Sequence, residues 1–302
     1  MQKMTPHLWF DTQAKEAAEF YVSAFGNGSK ITNITTLHDT PSGDCDVVSF
    51  TLPGLEFMAI SAGPLFVINP SISFILNFDP SKDPQARKHL DSLWEKLFQE
   101  GKALMPLEKY PFSDHYGWVQ DRFGVSWQLM LTDPKGNPRP FITPSLLFVG
   151  DNAGKAEEAI DFYISVFKNA KRGFTACYPK GSEPDKEGTL MYADFQLENQ
   201  WFAAMDSAHE HKFAFNEAIS LMVNCASQEE IDALWSKLSA HPASEQCGWL
   251  KDRFGVSWQI TPSRMQEMMQ KGTPEQIARV TQAFLPMKKF DLAALEKAFI
   301  GK

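Results

Sequence analysis

Cysteine is scarce in this sequence, and the cysteines that occur are far apart. They are Cys45, Cys177, Cys225 and Cys247 in a chain of 302 residues. No Cys-x-x-Cys pair is present, so the sequence has neither zinc-knuckle spacing nor a dithiol redox motif. Because free cysteine behaves as a small hydrophobic residue, we expect reduced thiols that are mostly buried.

The sequence also has fewer basic than acidic residues, and it has no long apolar run. The chain has 29 Lys and Arg residues against 37 Asp and Glu residues, a formal net charge of −8. Nucleic acids and anionic membranes attract clustered positive charge, so neither is an expected partner. Apolar runs are no longer than a strand, and residues 1–7 contain no apolar signal core. We therefore expect a cytoplasmic protein.

What the sequence does contain is an internal repeat. The eight residues Asp121–Gln128, Asp-Arg-Phe-Gly-Val-Ser-Trp-Gln, recur unchanged at Asp252–Gln259. Other matches precede them in the same order in both halves: Glu16–Phe25 with Glu158–Phe167, Asn69–Ile75 with Asn216–Met222, and Leu90–Leu97 with Ile231–Leu238. The chain therefore contains two tandem copies of one domain.

A proline-rich segment separates the two copies. Residues 133–140, Asp-Pro-Lys-Gly-Asn-Pro-Arg-Pro, contain three prolines and a glycine, which exclude regular structure. We therefore predict a first domain at 1–132, a linker at 133–140, a second domain at 141–262 and a helical tail at 263–302. In the tail, Thr273 and Gln276 have the spacing of a capping box, and Asp291 can cap a last helix.

Hydrophobic periodicity predicts the same order of elements in each copy. A short strand leads to a helix whose apolar residues follow the i, i+3, i+4 spacing of an amphipathic helix. Three strand-like segments follow, and then a strand, a helix and further strands recur. Each domain is therefore predicted to be α+β and to consist of two βαβββ units.

These residues resemble the PhnB-like branch of the vicinal-oxygen-chelate (VOC) superfamily, a branch also described as 3-demethylubiquinone-9 3-methyltransferase-like. The superfamily includes glyoxalases and bleomycin-resistance proteins. The resemblance rests on the Glu-Ala-x-x-Phe-Tyr helix, Asn-Pro-Ser-Ile-Ser-Phe, Leu-Trp-x-Lys-Leu and, above all, Gly-Trp-x-x-Asp-Arg-Phe-Gly-Val-Ser-Trp-Gln. It implies tandem VOC domains with curved mixed sheets, associated as an intrachain pseudo-dimer.

Metal-dependent members of this superfamily use four ligands, and the resemblance assigns those positions to residues of this chain. They fall on His7, Ser71, Gln128 and a position near Glu56 in the first copy, and on Ser145, Ala218 and Gln259 in the second. Serine, alanine and a neutral amide are poor ligands for a divalent cation. We therefore expect no metal and no other cofactor.

Strand alternation and the resemblance place a small-molecule pocket in the first copy. Its candidate residues are His7, Trp9, Ser71, Ser73, Tyr110, His115, Trp118 and Gln128. Trp94 and Trp118 are 24 positions apart, whereas the matching Trp235 and Trp249 are only 14 apart. The extra residues form either a lid over the pocket or a surface hairpin. Because Ser145 and Leu147 replace His7 and Trp9, we expect the first domain to keep the functional pocket and the second to be structural.

Three other motifs have structural interpretations. Asp121 and Gly124 fit the first and fourth positions of a type I turn. A cluster of Asp206, His209 and His211 falls in a predicted exposed loop, which favours a solvated loop over a metal site. The Gly26-Asn27-Gly28 segment follows a helix and fits a helix stop rather than the cofactor-binding turn of a methyltransferase, so the sequence does not support methyl transfer.

Two functions remain open at this stage. The first is a small-molecule-binding protein without a complete metal site, whose ligand the sequence does not name. The second is an enzyme of the glyoxalase and dioxygenase-like superfamily that acts on a small organic substrate. No catalytic residue is identified. A pseudoenzyme that acts through its surface, and assembly into a homo-oligomer, are further alternatives.

Overall fold

The computed structural model describes residues 2–26 and 28–301. Met1, Asn27 and Lys302 lie outside the described residues, and Asn27 is the middle residue of the predicted helix stop. The elements of the first repeat are β1 (Met4–Phe10), α1 (Ala14–Phe25), β2 (Lys30–Thr40), β3 (Gly43–Leu52), β4 (Leu55–Ser61), β5 (Ile72–Phe78), α2 (Ala86–Phe98), β6 (Lys102–Tyr110), β7 (Ser113–Gln120) and β8 (Ser126–Leu131).

The second repeat follows the same order, and three helices come after it. Its elements are β9 (Ile142–Phe148), α3 (Ala156–Val166), β10 (Lys171–Cys177), β11 (Leu190–Leu197), β12 (Gln200–Asp206), β13 (Ile219–Cys225), α4 (Gln228–Leu238), β14 (Trp249–Lys251) and β15 (Ser257–Pro262). The tail consists of α5 (Ser263–Lys271), α6 (Pro274–Phe284) and α7 (Leu292–Ile300). The architecture is α+β with βαβββ-type units, as predicted.

Each of the two mixed sheets takes strands from both repeats. Sheet A has the order β14-β15-β13-β1-β4-β3-β2, and sheet B has the order β10-β11-β12-β9-β5-β8-β7-β6. The first half of one repeat therefore shares a sheet with the second half of the other. In this sense the chain is an intrachain pseudo-dimer whose repeats have exchanged their second units.

The compact units follow the sheets rather than the repeats. One unit contains Met1–Val22, Ser29–Val67 and Phe215–Lys302, and the other contains Ser23–Gly28 and Ile68–Ala214. The predicted boundaries near residues 132 and 141 thus describe the sequence repeats, whereas the compact units divide the chain differently. Residues of one repeat therefore do not all belong to one site.

The strands that join the two repeats are the most buried ones. β1 pairs with β13 in sheet A, and β5 pairs with β9 in sheet B, both antiparallel. All seven residues of β5, β9 and β13 are buried. A strand buried on both faces needs an almost continuous apolar sequence, and these segments have one. The exchange between repeats is therefore built into the centre of each sheet.

The eight-residue repeat forms the same turn in both sheets. Asp121 Oδ1 accepts hydrogen bonds from the backbone N–H groups of Phe123 and Val125 at 2.9 and 3.0 Å, and its Oδ2 accepts one from Trp127 Nε1 at 2.8 Å. Asp252 makes the equivalent three bonds. Gly124 has a φ of +89°, which favours glycine. The turn interpretation is confirmed, because the carboxylate is fully used in holding the turn and a core tryptophan.

The tail helices carry the caps that the sequence predicts. The Thr273 side chain accepts from the backbone of Gln276, and the Gln276 side chain accepts from the backbone N–H of Thr273 at 2.9 Å. The Asp291 side chain accepts from the backbone N–H of Ala294 at 2.9 Å, which caps α7. Within residues 2–26 and 28–301, no helix has the length and apolar character needed to cross a membrane.

Each sheet has one side that packs against the helices of its own βαβββ units and one opposite side. In sheet A, the ring of Tyr21 from α1 stacks on Phe50, so the side of the sheet that carries Phe50 is the one that packs against helices. We call the opposite side, which carries His7, face A. In sheet B, Gly117 lies against Trp94 of α2, where a Cβ atom would come within 2.5 Å of the ring. The opposite side, which carries Gln128, is face B.

Candidate functional site

Face A is built around His7 on β1. His7 is in register with Ser220 on β13 and with Met58 on β4. The Gln259 side chain on β15 donates a hydrogen bond to Ser220 Oγ at 2.9 Å. The rings of His7 and Trp249 meet edge to face, with their centroids 5.5 Å apart. The floor of face A is therefore one imidazole with a serine–amide pair and an indole beside it.

The His7 imidazole is buried and incompletely bonded. Its side chain belongs to the buried set at 4% exposure, and its Nδ1 atom has no hydrogen-bond partner among the described residues. Burial lowers the pKa of His7 to about 3, because the charged ring would lose its hydration. The imidazole is therefore neutral at neutral pH.

Face B is built around Gln128 on β8. Its Nε2 group donates to Ser73 Oγ at 2.8 Å, and its Oε1 atom accepts from the Tyr116 hydroxyl at 2.8 Å. Burial raises the pKa of Tyr116, so its phenol keeps the proton that it donates. Ser145 on β9 is in register with Ser73, which extends the polar floor by one strand. The floor of face B is uncharged.

Three polar atoms of face B are buried and unpartnered. They are Trp118 Nε1, Ser126 Oγ and Ser145 Oγ, for which the described part of the chain supplies no hydrogen-bond partner. Trp118 is in register with Gln128, and Ser126 is in register with Ser73, so all three side chains belong to the same face. Buried polar atoms normally have partners, and face A also has two without a described one, His7 Nδ1 and Ser257 Oγ. Both floors therefore contain polar groups that could bond a further molecule.

The two floors correspond position by position through the repeat. Gln128 with Ser73 on face B matches Gln259 with Ser220 on face A, at 2.8 and 2.9 Å. Ser145 on face B stands where His7 stands on face A. The sequence resemblance placed the second-unit position on Ser71 and Ala218, two residues too early. Ser71 precedes β5, and its carbonyl accepts from the backbone N–H of Leu147, so it belongs to the strand border rather than to the floor.

The predicted pocket residues divide between the two sheets. His7 and Trp9 lie on β1 in sheet A, whereas Ser73, Trp118 and Gln128 share face B. The sequence grouped them because they belong to one repeat. That grouping is wrong, because the exchange of units places His7 beside Ser220 and Gln259 rather than beside Gln128.

The extra segment of the first repeat is a strand hairpin. β6 pairs with β7 along the edge of sheet B, and Tyr110 lies near its tip. The Tyr110 ring meets the Tyr116 ring edge to face at 5.5 Å and stacks on Phe112 at 5.6 Å. Tyr110 therefore extends an aromatic wall from Tyr116 on face B, and the hairpin alternative of the sequence analysis holds.

His115 lies on the helix side of sheet B and not on face B. Its Nε2 atom is 2.5 Å from Asp91 Oδ1, and its Nδ1 atom is 3.4 Å from the Arg87 guanidinium; both partners belong to α2. Alternation along β7 explains this position, because Tyr116 and Trp118 occupy the other side. The prediction of His115 as a pocket residue is wrong, because its side chain points to the opposite side of β7 from its neighbour Tyr116.

The residues present do not fit the metal site of the superfamily. The positions around the His7 imidazole are Met58, Ser220 and Gln259, and Glu56 lies two residues along β4 from Met58. No group of three or more His, Cys, Asp or Glu side chains in the described ranges 2–26 and 28–301 is arranged to hold a metal ion. The Asp206 carboxylate accepts from the backbone N–H groups of Gly154, Ala156 and Leu190, so it serves the start of α3.

The C-terminal tail lies on face A. Trp9, Ile60 and Val47 are in register across β1, β4 and β3 on that face. They pack in one hydrophobic cluster with Met268, Val280, Phe284 and Leu295 of the three tail helices and with Phe290 from the segment between α6 and α7. Backbone bonds add to this docking, since the N–H groups of Cys247 and Gly248 donate to the carbonyls of Met287 and Lys288, each at 2.7 Å. Face A is thus occupied by the chain itself.

Face B carries an ion pair that sequence reasoning did not find. Arg139, from the proline-rich linker, makes two bonds to the Asp194 carboxylate at 2.8 and 3.1 Å. Its guanidinium lies 3.9 Å from the centre of the Trp201 ring. Asp194 is in register with Ala203, which is in register with Ser145, so the pair belongs to face B. In the sequence, the one feature that could have pointed to this ion pair is that Arg139 is the single arginine of the proline-rich linker.

Comparison with known proteins identifies the family. The sequence matches the family described as 3-demethylubiquinone-9 3-methyltransferase at residues 2–130 and 140–261. The chain belongs to this family. A PhnB protein from Bacillus cereus is 36% identical, and the match covers 43% of this chain and 100% of that one, with a TM-score of 0.38. A protein of known structure from Staphylococcus aureus is 31% identical, and the match covers 44% of this chain and 98% of that one, with a TM-score of 0.18.

The fold of this PhnB-like protein is also that of a glyoxalase. Glyoxalase I from Zea mays is 13% identical, and the match covers 90% of this chain and 97% of the maize chain, with a TM-score of 0.54. At this identity the likeness concerns the fold alone. The search of curated proteins found no match.

Proposed function

We propose that this PhnB-like protein binds a small organic molecule on face B, without a metal ion. The observation that carries the proposal is the contrast between the two faces. Both faces have buried polar atoms without described partners: Trp118 Nε1, Ser126 Oγ and Ser145 Oγ on face B, and His7 Nδ1 and Ser257 Oγ on face A. Face A, however, is covered by α5, α6 and α7 of the same chain. Buried polar atoms cost free energy unless they are hydrogen-bonded, and a ligand would satisfy them.

The chemistry of face B favours a ligand with oxygen acceptors. The indole N–H of Trp118 can only donate, and the hydroxyls of Ser126 and Ser145 can do so as well. Arg139 already has its counter-charge in Asp194, so the face has no unmatched buried charge from this pair. An uncharged molecule with carbonyl or hydroxyl oxygens fits these groups better than an ion does.

The aromatic rings on face B favour a flat or apolar ligand body. Tyr116, Tyr110 and Phe112 form one ring cluster, and Trp201 lies beneath the Arg139 guanidinium. Small-molecule sites are typically apolar with a few polar groups that fix orientation. A metal is not needed for such binding, and the residues at the metal positions of the superfamily do not favour one.

The test uses a matched pair of tryptophans. Neutral carbonyl and hydroxyl compounds are screened for those that raise the melting temperature of the full chain, because a ligand that binds only the native state stabilises it. For each hit, Trp118→Phe removes the indole donor of face B, and Trp249→Phe makes the same change on face A. We expect Trp118→Phe to weaken binding about tenfold, the scale of one lost hydrogen bond in a buried site, and Trp249→Phe to change it little. Equal effects, or a larger effect of Trp249→Phe, would contradict the proposal.

A further inference from the structure

A cleft separates the outer strand of sheet A from the tail helices. Its volume is about 320 Å³, and its walls come from β2 on one side and from α5 and α6 on the other. Both Thr35 and Ile34 line it, although successive residues of a strand point to opposite sides. The cleft therefore runs along the edge of β2 and is distinct from the floor around His7.

The tail wall of this cleft contains a buried hydroxyl without a partner. Thr281 on α6 lines the cleft and is only 1% exposed. Its Oγ1 atom has no hydrogen-bond partner among residues 2–26 and 28–301. A helical threonine usually bonds its hydroxyl to a carbonyl one turn earlier, and Thr281 does not. The hydroxyl is therefore free to bond a molecule in the cleft.

The strand wall supplies further hydrogen-bonding groups. β2 is the last strand in the order of sheet A and pairs only with β3 among the described strands. An edge strand leaves alternate backbone N–H and C=O groups without a strand partner, and these groups face outward from the edge. Asn33 and Thr36 line the same wall. Asn33 Nδ2 donates to Thr35 Oγ1 at 2.8 Å and Thr36 Oγ1 donates to Asp46 Oδ1 at 2.7 Å, so their oxygen atoms are what they offer as acceptors. The cleft thus offers both donors and acceptors.

The rest of the lining is mostly apolar, and it contains no Asp, Glu, Lys or Arg residue among those described. Ile34 is 44% exposed, and Pro274 and Ile277 face it from the tail side. His38 is the one ionisable residue in the described lining, and it is paired with Asp44 at 2.9 Å. The volume lies at the lower end of the range for small-molecule sites. Such a lining selects against a charged molecule and for one that combines an apolar frame with polar groups.

We propose that this cleft is a second small-molecule site, which binds a neutral compound bearing hydroxyl groups on a small apolar frame. A bound molecule would contact β2 and α6 together. It would therefore hold the tail on face A, since releasing the tail would break its contacts. The site is independent of face B, because its residues all belong to the other compact unit.

The experiment uses cyclohexane-1,2-diol as the probe, since it is a neutral ring with two adjacent hydroxyls. The full chain is labelled at isoleucine methyl groups and titrated with the diol by NMR. We expect saturable shifts of the Ile34 and Ile277 methyls with a Kd of about 1 mM, as suits a ligand of this size. The methyls of Ile75 and Ile160, in the other compact unit, report any binding elsewhere.

Substitutions at Thr281 separate a hydroxyl contact from mere packing. Thr281→Val keeps the shape and removes the hydroxyl, and we expect about fivefold weaker binding, the loss of one hydrogen bond. Thr281→Ser keeps the hydroxyl and should restore most of the affinity. Thr12→Val, at an exposed loop position, is the control and should bind like the parent.

Three results would overturn the proposal. One is the absence of saturable shifts at Ile34 and Ile277 up to about 50 mM diol, well above the expected Kd. Another is unchanged affinity in Thr281→Val. The third is equally strong binding of cyclohexanecarboxylate, which would show that the cleft does not prefer a neutral molecule. None of these results depends on whether face B binds a ligand.

Discussion

Gln128 donates a hydrogen bond to Ser73 Oγ at 2.8 Å, across neighbouring strands of sheet B. The second repeat reproduces this relationship in sheet A, where Gln259 donates to Ser220 Oγ at 2.9 Å. Gln128 also accepts from the Tyr116 hydroxyl, which ties the β7 strand to the same network. Each glutamine thus donates to the equivalent serine of its own sheet. Gln128 makes one further hydrogen bond, which it accepts from Tyr116.

Removing the Gln128 amide should destabilise the protein by leaving two groups without their partner. Gln128→Leu orphans Ser73 Oγ and the Tyr116 hydroxyl, and each buried unsatisfied group costs about 1–3 kcal/mol. Gln259→Leu is the matched change and orphans Ser220 Oγ. We expect a loss of about 3 kcal/mol in the free energy of unfolding for Gln128→Leu and about 1 kcal/mol for Gln259→Leu. Urea unfolding measures both, and a larger loss for Gln259→Leu would contradict the network described here.

His7 should make the stability of the protein depend on pH. The pKa of the buried ring is about 3, and that of an ordinary histidine is 6.5. Between these values the unfolded chain binds a proton that the folded chain excludes. The contribution of His7 to stability is therefore complete above pH 6.5 and declines as the pH falls towards 3. At pH 5 the loss amounts to about 2 kcal/mol relative to pH 7.

The variant His7→Gln tests this dependence, because it removes the titrating group while keeping a polar side chain of similar size. Its unfolding free energy should fall less than that of the parent between pH 7 and pH 5, by the amount that His7 contributes. His241→Gln, at an exposed position, is the control and should follow the parent. Identical pH profiles for the parent and His7→Gln would show that His7 is hydrated or protonated in the folded state.

Phe290 should hold the tail on face A. It is 3% exposed, meets Phe284 at 6.1 Å and lies so close to Gly248 that a Cβ atom there would come within 2.4 Å of its ring. Phe290→Ala should lower the free energy of unfolding by about 3 kcal/mol, the usual cost of emptying a buried aromatic position. Hydrogen exchange should also become faster in α6 and α7. The exposed Phe112 provides the control, since Phe112→Ala should cost less than about 1 kcal/mol. Unchanged exchange in the tail would argue against its docking through Phe290.

The purified protein should contain no stoichiometric transition metal. Met58 and Ser220 are in register with His7, and Gln259 donates to Ser220; none of these three side chains is a good ligand for a divalent cation beside a single imidazole. Elemental analysis after dialysis should give well under one zinc, iron, manganese or nickel ion per chain. One ion per chain, lost in His7→Gln, would instead place a metal on face A.

Local features of the chain were predictable because they depend on neighbours in sequence. The Asp121 and Asp252 turns, the capping box at Thr273 and the cap at Asp291 involve residues at most six positions apart. Side-chain type and spacing therefore suffice for them. Which side of β7 His115 faces was harder to predict, since a shift of one residue moves a side chain to the opposite face of the sheet.

The sequence by itself determined that the chain is a repeated α+β protein of the PhnB-like family, because identical motifs at matching positions need no knowledge of contacts. Only the tertiary structure decided which residues share a site. β1 pairs with β13 and β5 with β9, so His7 stands beside Ser220, while Gln128 bonds Ser73, which is in register with Ser145. The tail helices then cover face A and leave face B as the candidate site. The β1–β13 pairing joins residues more than two hundred positions apart, such as His7 and Ser220. Both repeats contain the same set of strands in the same order. Their local sequences are therefore equally consistent with closing each repeat on itself, and only the packing of the whole chain distinguishes the two arrangements.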